Sequence, residues 1–261
     1  MQIGIIGTGN MGGMLATAFA KLEGNRVYLF NRTKAKAEAL AAEYTRMKVC
    51  KSLTELIHKS EIVLLCTKAD DARKILKAAG GEFTDNQFLL ASISGIPLKE
   101  FERTTIAKVG KLIPSLTQTV NKGVILFTFG SRFSKYDKAL VNELFSQISK
   151  PICISESEMR ISADITSCGP AFLAHIATSW AKAASEYSNI PYEMIESMVA
   201  ETLIGFTAML EQGMTFQDIK NKIMVPGGVT ERGMNSIGES PYQMFKNMHD
   251  ATHSVTHSQK T

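Results

Sequence analysis

Short apolar runs alternate with longer helix-like segments through the first 155 residues of this chain. The runs have the length of buried strands, and the Ala- and Lys-rich segments between them, such as Thr33–Tyr44 and Asp70–Ala79, have helical periodicity. This alternation predicts βαβ units and a mostly parallel sheet. The predicted strands are Gln2–Ile6, Arg26–Phe30, Met47–Cys50, Ile62–Cys66, Phe88–Ile93, Val109–Ile113, Gly123–Phe129 and Pro151–Ile154.

From residue 156 onward the strand-like runs stop, and one helical pattern follows another. Phe172–Ala184 is apolar almost all round, and a helix without a polar face must be buried on several sides. In so small a domain this predicts that a second subunit covers the helix, in a homodimer or higher homo-oligomer. The predicted helices are Glu158–Thr166, Pro170–Ser188, Tyr192–Gln212, Thr215–Lys222, Thr230–Gly238 and Tyr242–Thr256.

The expected fold class is therefore α/β, in two domains. Residues 1–155 form a Rossmann-type nucleotide-binding domain with a mostly parallel sheet. Residues 156–261 form an all-helical domain for substrate binding and dimerisation.

A glycine-rich turn follows the first predicted strand, in the sequence Gly7-Thr8-Gly9-Asn10-Met11-Gly12. Gly7 allows a tight turn, Gly9 lets the backbone approach a pyrophosphate, and Gly12 lets helix and strand pack closely. The helix that begins here points unpaired N–H groups and the positive end of its dipole at that pyrophosphate. A plain strand-turn-helix is the alternative, but this position near the start of a βαβ unit favours dinucleotide binding.

The end of the second predicted strand indicates which dinucleotide binds. An NAD-type fold has an acidic residue there to hold the ribose 2′-hydroxyl, whereas this chain has Asn31-Arg32-Thr33. No carboxylate repels a 2′-phosphate, and Arg32 and Thr33 can bind one. The cofactor is therefore predicted to be NADP(H) in preference to NAD(H). The alternative is a solvated loop in which Thr33 merely caps the next helix.

Composition and charge restrict the partners further. The hydrophobic fraction of 44% and charged fraction of 21% are those of a globular protein, and the net charge of +4 is mild. No run of Lys and Arg suggests a nucleic-acid surface. No signal-peptide pattern or long apolar span is found, so we expect a cytoplasmic protein without a membrane partner.

Cysteine and histidine positions predict no metal site. Cys50, Cys66, Cys153 and Cys168 contain no CxxC pair and are expected to be reduced thiols. Cys66 and Cys153 fall in strand-like runs, where cysteine packs as a small hydrophobe, and Cys168 beside Gly169-Pro170 is expected to pack, with a place in a site as the alternative. The tail carries histidines at helical spacing but no arranged fourth ligand. These histidines are His249, His253 and His257.

Several segments together resemble one family, the pyrroline-5-carboxylate reductases, over about Met1 to Asp250. The glycine turn is similar to that family's GxGNMG, and two motifs of the helical half make the resemblance specific. The other matching segments are Cys66-Thr67-Lys68-Ala69, Ser92-Ile93-Ser94-Gly95, Ser167-Cys168-Gly169-Pro170-Ala171-Phe172 and Pro226-Gly227-Gly228-Val229-Thr230.

This resemblance implies NAD(P)H-dependent reduction of a cyclic imine acid, pyrroline-5-carboxylate, to proline. It adds Thr67, Lys68, Ser94 and Gly95 to the cofactor contacts, the last two beside the nicotinamide. In the helical half, the N–H groups of Gly227 and Gly228 would hold the substrate carboxylate. Thr230 would hydrogen-bond the ring nitrogen or the carboxylate and supply or relay the proton. The alternative for Pro226–Thr230 is a plain helix-to-helix turn, with Thr230 as a cap.

Three positions depart from the family pattern. Ser115 replaces an asparagine near the nicotinamide ribose, Val225 replaces a serine that donates to the substrate carboxylate, and Ala69 replaces a proline. This combination resembles the late-competence-protein branch of the family, known from spore-forming bacteria. That branch keeps the fold and the nucleotide loop, so a catalytically weakened, NADP-binding regulatory protein is an alternative function.

A β-hydroxyacid dehydrogenase-like enzyme is the second alternative. Such an enzyme shares the opening glycines and a helical second domain, but it needs a lysine followed four residues later by asparagine on the first long interdomain helix. This chain has Lys182 and then Glu186. The residues therefore favour the imine reductase.

Overall fold

The computed structural model describes residues 1–93 and 95–258. The described chain divides into two compact units, Met1–Gly169 and Pro170–Ser258. None of the helices in these residues combines the length and the hydrophobicity that a membrane span requires.

The described strands of the first unit form one sheet of eight, and all eight predicted strands are present. Their order is β3-β2-β1-β4-β5-β6-β7-β8, and every neighbouring pair is parallel except β6 and β7, which are antiparallel. The first six strands thus have the order of a dinucleotide-binding fold, and the predicted Rossmann-type sheet is confirmed. The strands are β1 (Gln2–Ile6), β2 (Arg26–Phe30), β3 (Met47–Val49), β4 (Ile62–Leu65), β5 (Phe88–Ala91), β6 (Lys108–Ile113), β7 (Val124–Phe129) and β8 (Lys150–Cys153).

Helices connect these strands and cover both faces of the sheet. The α-helices are α1 (Asn10–Lys21), α2 (Lys34–Ala42), α3 (Leu53–His58), α4 (Ala69–Ala79), α5 (Leu98–Thr104), α6 (Lys135–Ser146) and α7 (Met159–Ala163). Short 3₁₀ turns lie at Gly80–Glu82, Leu116–Val120 and Glu156–Glu158. The predicted helix Glu158–Thr166 is divided, because α7 gives way to a π-helical segment at Asp164–Cys168.

Side chains that alternate along the strands fill two separate apolar layers. Ile3 and Ile5 of β1 belong to the layer that includes Phe19 and Phe145 of α1 and α6, whereas Ile6 belongs to the layer on the other face. Successive strand side chains point to opposite faces, so the strands of a parallel sheet are apolar on both sides. This burial on both faces holds the carboxyl ends of the strands in fixed register.

The second unit is helical throughout the described residues, as predicted. Its buried core within one chain is small and centres on Ala181, Ile195 and Val199. In the first helix of this unit only Ala181 is buried, while Leu173 and Trp180 are exposed. The helices are α8 (Gly169–Glu186), α9 (Tyr192–Glu211), α10 (Phe216–Ile223), α11 (Val229–Ile237) and α12 (Ser240–Ser258).

Candidate functional site

The turn between β1 and α1 requires glycine at its first and last positions. Gly7 has φ +94°, and a Cβ there would lie 2.5 Å from the carbonyl oxygen of Cys66. A Cβ on Gly12 would lie 1.9 Å from the carbonyl oxygen of Gly7. A side chain at either position would therefore displace backbone, so the tight turn depends on these two residues.

Gly9 has the opposite surroundings. No atom lies within 4 Å of the position that a Cβ on Gly9 would occupy. Gly9 is also the N-cap of α1, and it supplies no capping side chain. Among the described residues, the N–H groups of Asn10 and Met11 have no acceptor. Open space beside unpaired N–H groups at a helix start suits the pyrophosphate of a dinucleotide.

A small polar network joins this turn to the end of β2. Asn31 Oδ1 accepts the Thr8 N–H at 3.1 Å, and Asn31 Nδ2 donates to the Thr33 carbonyl oxygen at 2.9 Å. Thr33 precedes α2, but its side chain makes no capping hydrogen bond. Thr8 Oγ1 is buried and has no partner within the described residues. Asn31 therefore positions the loop, while the Thr33 hydroxyl is not used as a cap.

Arg32 extends from the same loop and meets an acid from another strand end. Its Nη1 lies 3.3 and 3.4 Å from the two carboxylate oxygens of Asp71, in the first turn of α4. Because β2 and β4 flank β1, this ion pair spans the end of β1. The Arg32 side chain is 87% exposed. The guanidinium can therefore bind an anion if that anion replaces Asp71.

The segment after β4 starts α4 beside the glycine turn. Lys68 is exposed at the N-cap of α4, and Thr67 Oγ1 donates to the Lys68 carbonyl oxygen at 3.3 Å. Burial of the sulfur raises the pKa of the Cys66 thiol to about 12, so this cysteine stays protonated and acts as a packing residue. The predicted contacts Thr67 and Lys68 therefore lie at the same sheet edge as Gly7–Gly12.

The loop after β5 is fixed by a buried lysine. Gly95 is exposed in this loop, and Ser94 lies outside the described residues. Lys111 of β6 donates from Nζ to the Ile96 carbonyl oxygen at 2.9 Å and pairs with Glu156 Oε1 at 3.0 Å. The same carboxylate oxygen accepts the Leu98 N–H at 2.9 Å. Lys111 and Glu156 thus bind two peptide groups of the loop predicted to face the nicotinamide, at Ile96 and Leu98.

Ser115, which departs from the family pattern, has a structural role in this chain. It is buried, and its hydroxyl caps the 3₁₀ turn Leu116–Val120 in a reciprocal capping box with Gln118. Ser167 Oγ donates to the neighbouring Pro114 carbonyl oxygen at 2.8 Å. The polar atoms of Ser115 therefore serve the local turn.

In the second unit, the predicted substrate residues Val225, Gly227 and Gly228 lie in the turn before α11, and Thr230 is the second residue of that helix. Gly227 has φ +74°, and its N–H donates to Glu231 Oε2 at 2.7 Å. The Gly228 N–H donates to the Val225 carbonyl oxygen at 2.9 Å. Both N–H groups expected to hold a substrate carboxylate are therefore occupied by the chain itself.

The side chains of this turn differ in availability. Val225 is 64% exposed and offers no donor. Thr230 is half-buried, and its hydroxyl has no hydrogen-bond partner in the described part of the chain. The turn therefore offers one uncommitted hydroxyl.

Three residues that the structure adds to the site were not predicted from the sequence: Asp71, Lys111 and Glu231. Two of the three had a local signal. Asp71 belongs to an acidic first helical turn, and Glu231 stands at the third position of α11, where acids stabilise helix starts. Lys111 gave no signal, because a single lysine in a strand does not indicate that its side chain is buried and bonded to a neighbouring loop.

The remaining candidate ligands form no centre. Arg160 Nη2 contacts the Asp164 carboxylate and lies 3.6 Å from Cys168 Sγ, so Cys168 belongs to a local polar cluster. Across the described residues, no group of three or more His, Cys, Asp or Glu side chains is placed to hold a metal. The His257 side chain lies outside that description.

Two family models match separate parts of the chain. The model for pyrroline-5-carboxylate reductase dimerisation matches residues 156–259. The model for NADP oxidoreductase, coenzyme F420-dependent, matches residues 2–93.

Relatives match nearly the whole length. ComE operon protein 4 of Bacillus subtilis is 31% identical over 97% of this chain and 94% of its own. Pyrroline-5-carboxylate reductase 3 of the same organism is 26% identical over 96% and 94%.

Solved structures share the fold. Pyrroline carboxylate reductase of Plasmodium falciparum, with NADP bound, superposes with a TM-score of 0.82 at 21% identity, over 100% of this chain and 98% of the other. Pyrroline-5-carboxylate reductase of Coxiella burnetii gives a TM-score of 0.88 at 18% identity, over 99% and 98%. The order of the strands, the glycine turn and the full-length relatives agree, and the chain belongs to the pyrroline-5-carboxylate reductase family of NADP-dependent oxidoreductases.

Proposed function

We propose that this protein is an NADPH-dependent reductase of a cyclic imine acid, converting pyrroline-5-carboxylate to proline. The observation that carries the proposal is the turn Gly7–Gly12, whose open helix start accommodates a pyrophosphate beside Arg32. Membership of the family supplies the reaction class. Family membership also argues against the β-hydroxyacid dehydrogenase alternative.

The chemistry requires few groups from the chain. NADPH, held at Gly7–Gly12 and Arg32, would supply the hydride for the imine carbon, and the imine nitrogen would take one proton. The Thr230 hydroxyl is proposed to donate a hydrogen bond to that nitrogen and to relay the proton from water. Lys111 and Glu156 hold the loop at Gly95, so they act as positioning residues.

Arg32 is proposed to select NADPH over NADH. The end of β2 carries no acid that would repel a 2′-phosphate, and the Arg32 guanidinium is exposed. Titrating the protein with each cofactor tests this step, and equal or tighter binding of NADH would contradict it. Oxidation of NADPH on addition of pyrroline-5-carboxylate then tests the reaction.

The protein is also proposed to form a homodimer through its helical unit. Large apolar side chains of α8 and α9 are exposed in the single chain, among them Leu173, Trp180, Met194 and Ile204. The match of residues 156–259 to a dimerisation model supports association through this unit. Sedimentation at micromolar concentration should detect no monomer, and a well-folded monomer would contradict this proposal.

A regulatory, NADP-binding protein with little turnover is the second candidate. It is favoured by one specific observation, that the N–H groups of Gly227 and Gly228 are already paired within the chain. Similarity to ComE operon protein 4 is consistent with it. Tight NADPH binding without oxidation by any imine would support this candidate over the reductase.

A further inference from the structure

A cavity of about 480 Å³ opens at the amino ends of β2 and β3. These strands run parallel to β1, so their amino ends lie at the opposite edge of the sheet from the turn Gly7–Gly12. β1 and β2 have five residues each, which places the two edges roughly 16 Å apart. The cavity is therefore separate from the cofactor turn. It is lined by Gly24, Asn25, Arg26, Tyr28, Thr45, Arg46 and Lys48.

The charged side chains of this cavity all have the same sign. Three of the lining residues are cationic, and among the described residues that line it none is acidic. The register of β2 and β3 pairs Tyr28 with Lys48. The Val27 N–H donates to the Arg46 carbonyl oxygen at 2.9 Å, which brings Arg26 and Arg46 to neighbouring positions. Like charges at neighbouring positions of two strands repel, so this arrangement lowers the stability of the unliganded protein.

The chain itself neutralises little of this positive charge. Arg26 and Lys48 are exposed, and within the described residues their side chains form no hydrogen bond or ion pair. Arg46 Nη1 lies 3.5 Å from the Ala20 carbonyl oxygen, and Arg46 Nη2 lies 4.0 Å from Glu23 Oε1. The Glu23 side chain is 95% exposed, so water weakens this long ion pair. Two of the three cations thus have no counter-charge, and the third has a weak one.

Protection of the sheet edge explains only part of this pattern. A lysine on an edge strand discourages pairing with a strand of another molecule, and Lys48 belongs to the edge strand β3. Arg26 belongs to β2, which is paired with a strand on each side. A charge on β2 therefore protects no edge. A ligand of opposite charge accounts for all three cations.

We propose that this cavity binds the phosphate chain of a small polyphosphate, either inorganic triphosphate or a nucleoside triphosphate. A guanidinium donates two parallel hydrogen bonds to a phosphate, and an ammonium adds a compact charge. Two guanidiniums and one ammonium match a chain of phosphates better than a single phosphate. The volume of the cavity is within the range of small-molecule sites. This second anion site is independent of the proposed reductase, because it requires neither the imine nor the dinucleotide.

Calorimetric titration of inorganic triphosphate into NADPH-saturated protein at low salt tests the site. Excess NADPH occupies the turn Gly7–Gly12, which would otherwise attract the same anion. Three cavity variants, Arg26→Gln, Arg46→Gln and Lys48→Gln, each remove one charge. Lys99→Gln is the control, because it removes an exposed charge from α5. Thermal unfolding without ligand verifies that each variant folds. Arg26→Gln should unfold at a temperature no lower than that of wild type, because it removes one of two neighbouring like charges.

We expect triphosphate to bind wild type saturably, and each cavity variant to weaken that binding about three- to tenfold. Lys99→Gln should bind triphosphate as wild type does. Orthophosphate should bind wild type at least about tenfold more weakly than triphosphate, because it contacts fewer of the cations. Equal affinity in the control and the cavity variants, or no saturable binding of triphosphate to wild type, would overturn the proposal.

Adenosine triphosphate distinguishes the two sources of the phosphate chain. Tighter binding of ATP than of inorganic triphosphate, weakened by the same three variants, would assign the site to a nucleotide. Equal or weaker binding of ATP would assign it to the inorganic anion. A single-stranded oligonucleotide that binds more tightly than both, and loses affinity in the same variants, would overturn the assignment to a small molecule.

Discussion

Two glycine turns precede helices in this protein, and they differ in what their N–H groups contact. At Gly7–Gly12 the helix start is open, with empty space beside Gly9 and unpaired N–H groups on Asn10 and Met11 among the described residues. At Gly227 and Gly228 the N–H groups are bonded to Glu231 and to Val225. The N–H groups of Val229 and Thr230 at the start of α11 also have no acceptor among the described residues. The two helix starts therefore differ in charge: the first turn of α1 contains no acid, whereas the first turn of α11 contains Glu231.

The difference shows that glycine content alone does not define an anion site. A helix start attracts anions through unpaired N–H groups and its dipole, and both effects are reduced when a side-chain carboxylate is already bound. The turn Gly7–Gly12 contains no competing carboxylate, whereas the Pro-Gly-Gly turn is bonded to the carboxylate of Glu231. Four substitutions test this contrast, in order of decreasing expected effect.

The largest effect is expected at Gly12. Gly12→Ala places a Cβ 1.9 Å from the Gly7 carbonyl oxygen, and overpacking of this severity costs about 3 kcal/mol of unfolding free energy. Gly9→Ala is the matched control for folding, because its Cβ meets open space. The free energy of unfolding, measured with denaturant, should change by less than about 1 kcal/mol in Gly9→Ala. NADPH affinity should fall at least roughly tenfold in the same variant.

Replacing Arg32 should weaken one cofactor only. A charged hydrogen bond to the 2′-phosphate contributes about 1.5–3 kcal/mol, so Arg32→Ala should weaken NADPH binding at least about tenfold. NADH binding should be nearly unchanged, because NADH has no 2′-phosphate. Fluorescence titration of both cofactors, with the exposed Lys36→Ala as control, measures this selectivity. Equal weakening of both cofactors would contradict the role of Arg32.

Val225→Ser should raise activity toward the imine acid. A hydroxyl at this position restores a donor to the substrate carboxylate, and its absence costs about 1.5–3 kcal/mol, or roughly 10- to 150-fold in kcat/KM. NADPH affinity should not change. Val229→Ser is the control, since Val229 is an exposed valine at the first position of α11. Thr230→Ala should remove the activity that remains. If wild type already matches Val225→Ser, the account of this position is wrong.

The smallest effect is expected at Asp71. Releasing Arg32 from an exposed ion pair contributes at most about 1 kcal/mol, so Asp71→Asn should tighten NADPH binding about two- to fivefold at low salt. Asp70→Asn is the control. It removes the same charge from the adjacent residue, whose carboxylate lies 3.8 Å from Arg73 Nη1. Asp71→Asn should tighten the binding of adenosine 2′,5′-bisphosphate as it does that of NADPH. The binding of 5′-AMP, which has no 2′-phosphate, should not change. A response of 5′-AMP as large as that of the bisphosphate would contradict the exchange of Asp71 for phosphate.

The sheet could be predicted from the sequence because each strand is a short apolar run flanked by turns or helices. Burial on both faces makes β1 and β4 nearly continuous in apolar residues, which is the strongest signal available for parallel strands. The glycine spacing then predicted the tight turn at Gly7–Gly12. The sequence did not indicate that β7 is antiparallel to β6, because a short apolar run has the same pattern whichever way the strand runs.

The ion pair and the hydrogen bond described for the site could not be predicted in the same way. Arg32 meets Asp71 only because β2 and β4 flank β1, and this order is a property of the assembled sheet. The bond between Glu231 and Gly227 depends on the left-handed φ of Gly227, which orients that N–H toward α11. Resemblance to the family predicted which residues form the turn, but not that the chain would pair them internally.

Reduction of pyrroline-5-carboxylate tests the central claim most directly. NADPH-saturated wild-type protein is given pyrroline-5-carboxylate, and the proline formed is quantified by NMR. We expect proline to form only with NADPH, in an amount equal to the NADPH oxidised. Bound NADPH that yields no proline would contradict the reductase and favour the regulatory protein.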